Sequence, residues 1–120
     1  MKTSSQTPTR QRRIHPRIPF SLDVDWGATR ACLQTGRVTS LSVGGCFIQT
    51  PLDVVKGKLL FIRLLLAPGS ERVSEGLVRG QVLYRLHELG LGIKFENLPA
   101  GYAKHIEDIV EFHLSSDEQD

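Results

Sequence analysis

Apolar and polar residues alternate early in the chain. Phe20, Leu22, Val24 and Trp26 fall on one side, with Ser21, Asp23 and Asp25 on the other. A period of two predicts a half-buried strand over residues 20–26. Gly27, Ala28 and Thr29 form a turn, and residues 30–40, with Thr and Val among them, predict a second strand. Gly44 and Gly45 punctuate, and residues 46–50 predict a short third strand closed by Pro51. The segment 58–67 is apolar at nearly every position and ends at Pro68-Gly69, as expected of a strand buried on both faces. Residues 73–85 and 91–95 predict two more strands, separated by a turn at residues 87–90. Six strands with Gly/Pro turns and no intervening helix imply an all-β-dominated, six-stranded antiparallel barrel or sandwich.

Periodicity changes after residue 96. Tyr102, Ile106, Ile109, Val110 and His113 recur as one stripe at helical spacing, and Glu107, Asp108 and Glu111 lie off it. This predicts one C-terminal α-helix, capped by Asn97 with Pro99 in its first turn. Such a helix is a natural cover for the outer face of segment 58–67. The expected organisation is a tail at 1–11, a single domain at 12–114 and a frayed acidic tail at 115–120. The tail at 1–11 is polar and expected to be disordered, and Pro16 and Pro19 keep the lead-in from Arg12 extended.

At 120 residues the chain is long enough for one core but too short for a two-domain enzyme. No apolar run approaches the roughly 18 residues of a membrane span, and residues 1–13 lack the apolar core of a secretory signal. A soluble cytoplasmic protein without membrane insertion is expected. Net charge is +2, unevenly spread. Lys2, Arg10, Arg12, Arg13 and Arg17 occupy the first 17 residues without an acid, whereas the other 103 residues carry ten basic and thirteen acidic side chains. A basic arm on an acidic body points to a partner bearing phosphate.

Two patches carry candidate chemistry. Arg13 and Arg17 are four apart, so on an extended backbone they share a face, with Arg12 beside them. Arginine offers a planar fork to phosphate and a flat face to bases. Ser40, Ser42, Gly44 and Gly45 form the second patch, where bare backbone is flanked by two hydroxyls. Cys32 and Cys46 have no zinc-ligand spacing and are expected as reduced, structural residues in strands. The four histidines make no metal-ligand pattern, Trp26 is read as core, and no nucleophile or carboxylate pair forms a catalytic constellation. A catalytic site, a metal and a cofactor are therefore not expected.

Arg13-x-x-x-Arg17 followed by Ser40-x-Ser42-x-x-Gly45 resembles the PilZ domain, the bacterial receptor module for cyclic di-GMP. The similarity extends from residue 12 to residue 114, through Gly80-Gln-Val-Leu-Tyr84, Gly90-Leu-Gly-Ile-Lys-Phe95 and the final helix. The resemblance implies a split barrel. It also implies a cyclic di-GMP site in which Arg13 and Arg17, assisted by Arg12, grip phosphates and stack on guanines. Ser42 and Gly45 would line the turn beneath the ligand, and Tyr84 would lie near a base. It implies an arm that orders on binding and a protein effector in motility, pilus or exopolysaccharide machinery. Ser40 stands where the family usually has Asp or Asn. Loss of a bidentate or charge-assisted contact there costs about 1–3 kcal/mol, or about 5- to 150-fold in affinity. The alternative is an adaptor of the same fold that binds protein and no nucleotide. A nucleic-acid binder fits poorly, given the acidic body and only 7% aromatic residues.

Overall fold

The computed structural model describes residues 16–66, 76–98 and 101–119. Six strands are followed by one helix: β1 (Ile18–Gly27), β2 (Gln34–Ser42), β3 (Gly45–Gln49), β4 (Leu59–Arg63), β5 (Leu77–Leu86), β6 (Gly90–Asn97) and α1 (Tyr102–Gln119). The strands close into an antiparallel barrel in the order β1-β2-β3-β6-β5-β4. Closure pairs the strand edges that an open sheet would leave exposed. Inward positions fill the interior with Val24, Trp26, Val38, Leu41, Cys46, Ile48, Leu60, Ile62, Val78, Val82, Leu91 and Ile93.

The barrel is split on one side. β1 pairs with β2 from Ile18 to Trp26, but with β4 only through Asp25–Gly27 against Phe61–Arg63. α1 packs on β2 and β1, and its stripe adds Tyr102, Ile106 and Val110 to the core, with Ile109 packed against it. The Tyr102 hydroxyl donates 2.9 Å to the carbonyl of Leu64, just past the last β1–β4 pair. That buried bond supplies a polar partner where the ladder stops.

Several sequence expectations need correction. The segment 58–67 is not buried on both faces: Leu60, Ile62 and Leu64 point inward, whereas Leu59 and Leu65 are exposed. Its outer face is met by Arg30, whose guanidinium carbon lies 5.8 Å from the centroid of the half-buried Phe61 ring. The helix packs on β2 and β1 instead. Cys32 is buried but sits before β2, not in a strand, at φ 51°, within the turn closed by Cys32 N–H to Thr29 C=O at 3.1 Å. Asn97 ends β6 and does not cap the helix, which begins after Gly101 at φ 87°. Pro99 lies outside the described residues. The helix itself runs through Gln119. No described helix is long and apolar enough to cross a membrane.

Candidate functional site

The β2–β3 connection is a two-residue hairpin, Val43-Gly44, between paired Ser42 and Gly45. Its chemistry is local. Ser42 Oγ accepts from the amides of Gly44 at 3.1 Å and Gly45 at 3.2 Å, and its hydroxyl reaches the Gly45 carbonyl at 3.4 Å. Serine folded back on its own turn in this way satisfies amides the tight loop would leave unpaired. Ser42 is only 3% exposed, so this work occupies it. Gly45 is buried, and a Cβ there would run into the carbonyl oxygen of Ile93 on β6. The bare backbone admits the neighbouring strand. Both residues shape the turn.

Around the outer wall, the register sets out a row. Pro19 of β1 pairs with Ser40, Ser40 with Phe47, Phe47 with Gly92, and Gly92 with Tyr84. Ser40 is half-buried and Tyr84 is 40% exposed. At the strand spacing of about 4.8 Å, three steps separate them by about 14 Å. Arg17 is half-buried just before β1, and its charge acts on Cys46, the residue beside Phe47. Ser40 and Tyr84 thus share one stretch of wall, and Arg17 stands two residues before Pro19 at its β1 end. Arg12 and Arg13 lie outside the described residues. Phe47 escaped the sequence reading, although its place between buried Cys46 and Ile48 marks it as an outward aromatic.

Burial pushes the Cys46 thiol up to about 12, against the opposing pull of Arg17. Burial also raises the Cys32 thiol. Both are free cysteines. No group of three metal-ligating side chains occurs among the described residues. A groove of about 750 Å³ lies farther along β1 to β3 and contains none of the motif residues. Asp23, Asp25 and Glu88 line it with Arg37 and Arg63, and Arg37 is already bonded to Asp23 at 3.0 Å. Three carboxylates against two guanidiniums make it a poor seat for a phosphate diester.

The family model described as "PilZ domain" matches residues 11–112, most of the chain. This chain belongs to the PilZ family. Nine solved chains also match it. One is the PilZ domain of CeSA from a cellulose synthesizing bacterium, 19% identical with a TM-score of 0.54, the match covering 83% of this chain and 98% of that one. Another is the Bacillus subtilis inhibitor of motility (MotI/DgrA), 18% identical with a TM-score of 0.60, covering 88% of this chain. This PilZ chain spans about half of that inhibitor, 52% of its length. At these identities the likeness is one of fold. No curated protein sequence matches the chain.

Proposed function

We propose that this PilZ domain is a receptor for cyclic di-GMP that orders its arginine arm on binding and passes the signal on by protein contact. The observation that carries the reading is the stretch of wall bearing Ser40 and Tyr84, which begins two residues from Arg17 and adjoins the hairpin of Ser42 and Gly45. The dinucleotide has two phosphates and two guanines. Arg13 and Arg17, with Arg12, supply charge-assisted forks for the phosphates and flat faces for the bases. Ser40 supplies one hydroxyl to a guanine edge, directly or through water. Ser42 and Gly45 act by holding the hairpin that carries Ser40. A segment that orders around a ligand changes the surface next to it, and that is how a domain with no catalytic role of its own can signal.

The effector belongs to motility, pilus or exopolysaccharide machinery in this reading. Cytoplasmic placement goes with it. Arg13→Ala and Arg17→Ala test the site by calorimetry. Each should weaken cyclic di-GMP binding by about 1.5–3 kcal/mol while barely moving the ligand-free melting temperature. Unchanged affinity in both variants would remove the arm from the site. Ser40 favours the second reading, an adaptor that binds protein without nucleotide. Ser40→Asn separates the two, since it restores an acceptor and donors without a new charge near phosphate.

A further inference from the structure

β6 carries glycine at two alternate outward positions, Gly90 and Gly92, separated by buried Leu91. Glycine inside a strand weakens it, so two on one face call for a reason. The reason is visible in what a side chain there would strike. A Cβ on Gly90 would meet the Ile48 carbonyl oxygen and Cε2 and Cζ of Phe47, and one on Gly92 would meet the ring of Tyr84. Each ring lies against bare backbone, one reaching in from β3 and the other from β5. Their centroids are 6.4 Å apart and their planes are inclined by 31°.

Covering a glycine requires only bulk, which leucine would supply. Two neighbouring rings inclined by a small angle provide something more: a continuous, shallow aromatic floor. Both rings lean onto β6, one strand beyond the Phe47 backbone that pairs with Ser40, and the Tyr84 end of the floor is 40% exposed. A planar heterocycle gains from such a surface because its face stacks on any aromatic face. We infer that Phe47 is a positioning residue for a guanine base: it props the Tyr84 ring against Gly92 and continues the floor along β6. Removing the Phe47 ring frees Tyr84 to tilt and leaves a step where the base would lie flat. This rests on the cyclic di-GMP reading, and it adds a residue and a mechanism that the arginine and serine motifs do not contain.

The test uses the full chain and cyclic di-GMP. NMR of the unaltered protein should show contacts between guanine H8 and the ring protons of both Phe47 and Tyr84. Phe47→Leu keeps the cover over Gly90 but removes the ring, and should weaken binding roughly 3- to 10-fold. Phe47→Tyr restores a ring and should bind as the unaltered protein does. In combination with Tyr84→Leu, the loss should be smaller than the product of the two single losses, because one ring works through the other. If the unaltered protein binds without guanine contacts to Phe47, or Phe47→Leu binds equally well, or Phe47→Tyr fails to restore affinity, the inference is overturned and the receptor reading stands. If the unaltered protein does not bind at all, both fall.

Discussion

Ser42→Ala separates a role in the turn from a role in ligand contact. Alanine removes the oxygen that accepts from Gly44 and Gly45 at 3.1 and 3.2 Å, in a residue only 3% exposed. The Gly44 amide is half-buried and can recover part of its bond from water. The Gly45 amide is buried and cannot. An ordinary bond lost contributes about 1 kcal/mol, and a buried donor left unpaired costs about 1–3 kcal/mol. The sum is about 2–4 kcal/mol of folding stability. For a domain of this size that corresponds to a fall in melting temperature of about 6–20 °C. Urea denaturation with a shared slope m gives the number directly. Ser42→Thr keeps the oxygen and should recover part of the loss. A change below about 0.5 kcal/mol in Ser42→Ala would refute the assignment, because the amides would then have found other partners. Affinity measured on Ser42→Ala is meaningful only after this loss of folded protein is taken into account.

Tyr102→Phe should cost about 1–2 kcal/mol by leaving the Leu64 carbonyl unpaired in the split, read as a lower urea midpoint; no shift would mean the helix is held by its apolar stripe alone. Gly45→Ala should destabilise more than Ser42→Ala, since the Ile93 carbonyl that blocks its Cβ belongs to rigid backbone, and thermal melting decides the order. For Cys46 the folded value of about 12 lies above the ordinary 9.0, so its contribution is full below pH 9 and is lost as pH rises toward 12. Stability should fall by about 1.4 kcal/mol per pH unit across that window from this group. Cys46→Val should fall less steeply between pH 9 and 10.5 in urea titrations.

Much of the architecture is legible in local pattern because each barrel strand shows one face to the core. The alternation at Val24 and Trp26, and the helical stripe from Tyr102 to His113, both match the observed burial. Pattern fails where a run is apolar throughout. Residues 58–67 read as two buried faces, but the chain tolerates exposed Leu59 and Leu65, and no periodicity distinguishes these from buried leucines. The strand expected at Cys32 gives way for a different reason: its positive φ belongs to a turn that its side chain does not advertise. Within the site, Ser42 and Gly45 could be found from their spacing, but their roles depend on the β3–β6 pairing, which brings the Ile93 carbonyl onto Gly45. The place of Phe47 is hidden in the sequence on the same account. Its partners Gly90 and Tyr84 are about 40 residues away along the chain, and only barrel closure brings the three together.

The most direct measurement is a calorimetric titration of the unaltered protein with cyclic di-GMP, using the linear dinucleotide as control. The receptor account predicts saturable binding of the cyclic ligand, weaker binding of the linear one, and tighter binding of the cyclic ligand by Ser40→Asn. No heat at high micromolar cyclic di-GMP from either the unaltered protein or Ser40→Asn would contradict it and leave a nucleotide-free adaptor on a PilZ barrel.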